Sequence, residues 1–444
     1  MSASTERAVL LDRCERHWSA AAAKLYRIAH SDVETAAEGG VVHGRDGRRY
    51  IDFACSYGVF IVGHRHPLVA ERIQQALEQL AWLPPGTSHP SRAALSARLA
   101  ALAPGDWGEV HYMNSGAEAI EQTLRYVLAV QAPRRRILAM ADSYHGKTLA
   151  AMSVLGQNRT DTSFGPVTNA VEFLPYGDIA ALRAAIDDTV AAVYIEPILG
   201  GMHLTVPPPG YLAELRRLCD AAGVLLVADE IQTAFGRCGR MFACEYDAVV
   251  PDMLVLSKGL TGGYASIACV MYGAALSARC PVEQVDRWGS SQGGHPFACE
   301  AALAALDVIE SEQLVERAAR QGERLCTGLR ELARCFPRTV IDAPGIGLMA
   351  GLRLRGAACE SLLSMELTKR GVHVGHSMNE RAKAPVLRFY PPLAVEPETI
   401  DQVLALTAES LALIERKPRL ALALMERFVN RMYALPNRLL RRLG

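Results

Sequence analysis

The sequence predicts an α/β fold, a mostly parallel central sheet with helices on both faces. Three observations predict it. Short apolar runs recur at Ile137–Met140, Ala192–Ile195, Val224–Ala228, Met253–Leu256 and Ile267–Met271, and uncharged runs of this length form strands buried on both faces. Amphipathic stretches lie between them, such as Tyr211–Ala222, opened by Pro207-Pro208-Pro209-Gly210. No internal repeat or low-complexity linker breaks the pattern, and strand–helix alternation at this scale builds a parallel sheet.

The totals narrow the class. A chain of 444 residues is long enough for two domains and a large core. Its formal net charge of +0 lacks the basic excess of a nucleic-acid binder. The N-terminal Met-Ser-Ala-Ser-Thr-Glu-Arg has no charged-then-apolar export pattern, so a cytoplasmic protein is expected. The 11 cysteines form no CxxC pair and no metal-ligand spacing. They predict core hydrophobes in a reducing compartment and no metal site. The longest uncharged run, Gly259 to Ala278, is rich in Gly, Ser, Ala and Thr and fits a loop plus one strand, not a membrane span.

In chain order, Asp46-Gly47 turns into the strand-forming Arg49–Phe53. Ser56-Tyr57-Gly58 leads to Gly63-His64-Arg65-His66-Pro67, where Pro67 starts a helix; histidines in this position fit caps better than catalysts. The apolar Val110–Met113 runs into Asn114-Ser115-Gly116-Ala117-Glu118, a helix start whose free amides and small residues suit an anion. Gly146-Lys147-Thr148 fits a relaxed phosphate-loop pattern, which raises a nucleotide hydrolase as a rival. Asp142, Tyr144 and His145 before it are bulky or anionic and the first glycine is missing, so the backbone could not wrap phosphates. Val224–Ala228 ends in Asp229, and Met253–Leu256 delivers Ser257-Lys258-Gly259. Open α/β sheets place ligands at such strand ends. On residues alone, the acid and the lysine also fit plain strand caps at a solvated edge, while a lysine beside glycines suits imine formation.

Together these motifs resemble the class III pyridoxal-phosphate aminotransferases. Asp229-Glu230-Ile231-Gln232 is similar to their D-E-V-Q, Ser257-Lys258 to S-K or A-K, and Asn114–Ala119 to N-S-G-[AT]-E-A. Tyr144–Thr148 is similar to [FY]-H-G-[RK]-T, Gly63–Pro67 to G-H-x-H-P, and Val386–Leu393 to [IL]-R-x-x-P-P-L. The likeness runs from about Gly44 to Ala412 and looks most like the putrescine, ornithine and acetylornithine branch.

The resemblance implies the fold type I architecture. Its boundaries would be residues 1–65 and 311–415 for a small domain made from both chain ends, 66–310 for the large domain, and 416–444 for a basic tail. It implies pyridoxal 5'-phosphate as cofactor. Ser115, Gly116 and Ala117 would bind the phosphate, Tyr144 would stack on the ring, and Gln232 would meet the ring oxygen. Asp229 would face the pyridine nitrogen, and Lys258 would hold the cofactor as an imine and move the proton. Ser291 would reach the phosphate of a neighbouring subunit, implying a homodimer with a shared site. Tyr57, Lys147 and Arg388 would contact substrate, Arg388 as a carboxylate clamp.

Two stretches depart from the family pattern. Glu196-Pro197-Ile198-Leu199-Gly200-Gly201 stands where relatives read E-P-x-Q-G-E; their second glutamate pairs with the arginine when substrate brings no carboxylate. Gly201 removes that partner, which favours substrates with their own carboxylate or a rebuilt pocket. Trp288–Pro296 carries Gln292 and His295 where relatives have Phe and Asn. The expected activity is transfer of an amino group from a terminal amine or ω-amino acid to a 2-oxo acid, or the reverse amination of an aldehyde. An aminomutase or decarboxylase on the same fold is the alternative. Beyond the likeness, Leu420, Leu424, Phe428 and Met432 recur every fourth residue in the basic stretch Arg419–Arg442. That stripe predicts a helix packed on its own subunit or dimer, with docking to an acidic partner or a membrane surface as the other use.

Overall fold

The computed structural model describes residues 3–29, 34–45, 47–79, 87–156, 171–201, 203–279, 290–377 and 384–431. Its strands are β1 (Glu34–Glu38), β2 (Val41–Gly44), β3 (Arg49–Phe53), β4 (Trp107–Met113), β5 (Arg136–Met140), β6 (Val171–Leu174), β7 (Val190–Ile195), β8 (Leu225–Asp229), β9 (Met253–Leu256), β10 (Ala268–Gly273), β11 (Val340–Asp342), β12 (Gly345–Ile346), β13 (Met349–Leu354), β14 (Val372–Val374) and β15 (Val386–Phe389).

Seven of them form the central sheet, in the order β4-β10-β9-β8-β7-β5-β6. The pairs from β6 through β9 are parallel, while β10 runs antiparallel between β9 and β4. All five apolar runs read from the sequence fall in this sheet. Their lack of charge has a physical cause, because each strand is covered on both faces. Leu138, Val193, Leu226 and Leu254 belong to one core layer; Ile137, Ala192, Leu225 and Val255 belong to the other. Alternate residues point to opposite layers, so neither face tolerates a polar side chain. Gly259–Ala278 is a 3-10 turn, strand β10 and a short helix.

Two smaller sheets flank the centre. One, ordered β1-β2-β3-β14, joins the two ends of the chain, with Ile51 opposite Val372 in a parallel pair. The other sets β13 between β11 and β12 and adds β15 on β13. Arg388 and Gly375 exchange backbone hydrogen bonds of 2.7 and 2.9 Å, so the strand that carries Arg388 is tied to both small sheets.

The C-terminal helix Arg419–Arg431 forms as the spacing predicts, but the stripe is not its packing face. Glu426 instead caps the start of the helix Ala357–Lys369, accepting from the amides of Ala357 at 3.1 Å and Ala358 at 2.6 Å. Leu422 packs against the core beside it. Leu420, Leu424 and Phe428 stay 73 %, 55 % and 51 % exposed, and Met432 lies outside the described residues. The helix thus packs on its own subunit as expected, but by the face opposite the stripe. Among the described residues no helix is long and apolar enough to cross a membrane.

Candidate active site

The C-terminal ends of β8 and β9 lie side by side, with Asp229 in register with Val255. This puts Asp229 and Lys258 at one end of the parallel sheet, where they line a cavity of about 210 Å³. Asp229 is buried. One of its oxygens accepts from the Ile231 amide at 3.0 Å, and the other lies 2.7 Å from His145 Nδ1. Burial alone would push the His145 pKa down; the hydrogen bond and charge of Asp229 outweigh it, and the net shift is upward.

Lys258 sits at φ +40°, a left-handed conformation uncommon for a residue with a side chain. It is partly exposed to the cavity it lines, yet the surrounding protein lowers the pKa of its amine. Burial is the main cause, opposed by Asp229 and Glu196 and reinforced by Arg388. A lysine with a lowered pKa can shed its proton and act as nucleophile and base.

The helix Gly116–Val130 begins at the cavity wall, with Gly116 and Ala117 lining it. Ser115 is its N-cap and accepts from the Glu118 amide at 3.3 Å, while the Glu118 carboxylate accepts from the amide of Asn114, one residue before the cap, at 2.9 Å. The first helical amides have no partners within the helix and are available to an anion. Small residues are required here. A Cβ on Gly116 would lie 2.6 Å from Ile231 Cδ1, and one on Gly146, at φ +111°, would lie 2.6 Å from the Ala117 Cβ. The loop of Tyr144 through Lys147 thus lies directly on the helix start. It does not open a helix of its own, as a phosphate loop would.

Glu196, at the end of β7, is the residue whose role sequence reasoning missed. Its carboxylate accepts from the Tyr144 amide at 2.8 Å and the Gly200 amide at 3.0 Å. It ties the aromatic loop to the Gly200-Gly201 turn. Burial raises its pKa, His145 opposes the rise and Asp229 adds to it, and the result is about 7. The signal was a Glu-Pro pair closing an apolar strand, where a carboxylate has to be buried. His145 was read only as too bulky for a phosphate loop; its bond to Asp229 could not be seen from a separation this long.

The sequence-predicted residues divide by position. Lys258, Asp229, Gly116, Ala117, Tyr144, Lys147 and Gln232 line the cavity. Ser115 adjoins it as the cap. Ser291 is exposed and away from this chain's cavity, with neighbouring Ser290 accepting from Asn114 Nδ2 at 3.0 Å. Trp288 and Gly289 lie outside the described residues. His64 pairs with Asp52 at 2.8 Å and His66 with Glu312 at 2.9 Å, both away from the cavity.

Tyr57 and Arg388 do not line it, although Arg388 bonds to Gly200 and Gly201, which do. Arg388 is fully buried. Its Nη1 donates to the His376 carbonyl at 2.9 Å, and its Nη2 donates to the carbonyls of Gly200, at 3.0 Å, and Gly201. Its guanidinium carbon lies 5.7 Å from the centre of the Tyr57 ring. The reason is Gly201. A Cβ there would come 2.6 Å from the Asp142 carbonyl, so the turn closes tightly and presents carbonyls to Arg388 where relatives present a glutamate.

The sequence model for the class III aminotransferases matches residues 25–411, so the chain belongs to that family and is a transaminase. Among solved structures it is similar to the ornithine aminotransferase of Toxoplasma gondii ME49, 29% identical with TM-score 0.81 over 87% of this chain and 92% of that one. An amine transaminase from an uncultivated Pseudomonas species, in its PLP-bound form, is 26% identical with TM-score 0.79, over 86% and 95%. The acetylornithine aminotransferase of Elizabethkingia anophelis is 26% identical with TM-score 0.74, over 86% and 94%. These neighbours establish the fold type I architecture, and the family's cofactor is pyridoxal 5'-phosphate.

The cavity fits that cofactor. It offers helix amides for a phosphate, a buried acid for a pyridinium nitrogen, an aromatic wall and a lysine amine. Gln232 also has a buried amide oxygen with no partner, a polar atom that calls for a ligand group. Among the described residues no cluster of His, Cys, Asp and Glu could hold a metal ion.

Proposed function

We propose that this transaminase takes its amino group from a terminal amine or ω-amino acid and passes it to a 2-oxo acid. The observation that carries the reading is Arg388. Both its terminal nitrogens are engaged by backbone carbonyls, and it does not line the cavity. A donor that lacks a carboxylate at its reacting end therefore meets no stranded positive charge. Lys147, exposed at the rim, is the cation left for the carboxylate of the 2-oxo acid.

The bound cofactor supplies an electron sink for the carbon next to the transferred nitrogen. The remaining work falls to the chain. Gly116 and Ala117 would hold the anionic end at the helix start. Asp229, fixed by His145, would hold a positive charge on the ring nitrogen. Tyr144 gives its flat face, and its pKa is raised chiefly by burial, with Asp229 and Glu196 adding to it, so it stays neutral. Lys258 would hold the cofactor through its amine and, once freed by the substrate amine, would serve as the base for the proton on the substrate carbon.

We also take the working enzyme to be a homodimer. Ser291 is exposed and outside its own cavity, a position suited to completing a partner's site. Size-exclusion chromatography with light scattering tests this, and a monomer with full activity would refute it.

The donor reading is tested by mixing the cofactor-loaded protein with single amines and no acceptor: putrescine, ornithine, 4-aminobutyrate and a long-chain amine. A terminal amine should produce the absorption change that marks amino-group transfer, and Lys258→Ala should not respond. Response to α-amino acids only would sink the donor assignment.

A further inference from the structure

We propose that the C-terminal helix Arg419–Arg431 is a docking surface for an anionic lipid membrane, on which the enzyme lies without inserting a span. The family match ends at residue 411, so this helix is an addition to the catalytic fold. It is anchored by its inner face, through Leu422 and through Glu426 at the start of Ala357–Lys369. Its outer face carries Leu420, Leu424 and Phe428 at four-residue spacing, each more than half exposed. An apolar row on an otherwise anchored helix is not needed for the fold.

Charge selects the occupant. From Arg416 onward the sequence holds Arg416, Lys417, Arg419, Arg427, Arg431, Arg438, Arg441 and Arg442 against the single acid Glu426, and that carboxylate is already committed to two amides. Arg416, Arg419 and Arg427 are exposed beside the row. A second copy docking on this face by two-fold symmetry would bring arginines against arginines. An anionic lipid surface instead takes the leucines and phenylalanine at the acyl boundary and the arginines at the headgroups. The whole chain has formal net charge +0, so the +7 of this segment leaves the remainder at −7, and attraction to an anionic surface is confined to this end of the molecule.

The test uses the full-length, cofactor-loaded enzyme and sedimentation with vesicles of phosphatidylcholine alone or mixed with phosphatidylglycerol. The enzyme should pellet with the mixed vesicles only, and added salt should release it. In L424S/F428S the bound fraction should fall roughly tenfold or more, because two apolar side chains no longer enter the boundary; R419Q/R427Q should lose binding at lower salt than the native chain. Both variants alter exposed residues, so an unchanged melting temperature and transaminase rate separate lost docking from lost folding. Failure to pellet with either vesicle would overturn the proposal, as would native-like binding of L424S/F428S. A fall in oligomer mass caused by L424S/F428S without vesicle binding would assign the face to a second copy.

Discussion

The floor beneath Lys258 and the corner around Arg388 belong to one site and meet their charges in different ways. On the floor, Asp229 raises the proton affinity of His145 and of Glu196 and opposes the fall at Lys258, while His145 lowers that of Glu196. In the corner, a single buried guanidinium is held by the carbonyls of Gly200, Gly201 and His376, and no titratable group accepts from it. The first arrangement can move protons because it sets a carboxyl group raised to about 7, Glu196, beside a lysine amine lowered from its ordinary value. The second fixes a charge and a backbone turn. Chemistry and scaffolding are thus separated across one short segment, Glu196 to Gly201, which contacts both.

Breaking the floor should have the largest effect. Lys258→Ala should reduce single-turnover amino transfer by on the order of 10⁴-fold, since nucleophile and proton carrier are lost together. Retention of bound cofactor, seen by absorbance, would show that the cavity persists. Asp229→Asn should lower kcat by about 10²-fold or more, and it should return the His145 pKa toward or below its ordinary value, which NMR titration can read. An unchanged histidine titration would break the proposed coupling.

The corner should respond in stability. Arg388→Ala leaves buried carbonyls without donors, at roughly 1–3 kcal/mol each, so calorimetry should show a marked drop in Tm. If KM for the 2-oxo acid rises far more than Tm falls, the guanidinium is a substrate clamp after all. Lys147→Ala, at the exposed rim, should raise that KM only several-fold while leaving Tm in place. A screened surface charge is worth about 1 kcal/mol at most.

The most specific signal lies in Glu196, between the two regions. Its folded pKa of about 7 is raised from 4.5, so the folded state binds the proton more tightly than the unfolded one. That contribution is complete below pH 4.5 and is lost as pH rises to about 7. Stability relative to Glu196→Gln should therefore decline over that window by up to about 1.4 kcal/mol per pH unit and be level above it. A flat difference would mean that Glu196 is ionised throughout.

Much of the fold was legible because the strands are covered on both faces and their sequences carry no charge. The antiparallel course of β10 was not, since direction leaves no mark on an apolar run. The floor was legible as well. Asp229, Gln232 and Lys258 fall at strand ends and turns, where backbone geometry dictates neighbours. The carbonyl-held setting of Arg388 was not legible because it depends on Gly201, a residue that acts by having no side chain. Its consequence, a turn closed tightly enough to aim carbonyls, appears only in three dimensions. The C-terminal stripe was found by its period, but periodicity does not say which way a face points, and here a single carboxylate, Glu426, turned the helix outward.

The pairing of β3 with β14 also bears on the order of assembly. The strands of the central sheet lie between Trp107 and Gly273, so Asp229 and Lys258 can meet as soon as that stretch has left the ribosome. Ile51 finds Val372 only when the last quarter of the chain exists. The Tyr57 and Arg388 corner should accordingly close late, after the phosphate cradle is formed, because contacts between distant segments wait on loop closure. A nascent chain stalled before Val372 should hold a sheet able to protect its central amides from exchange while its small sheets remain open.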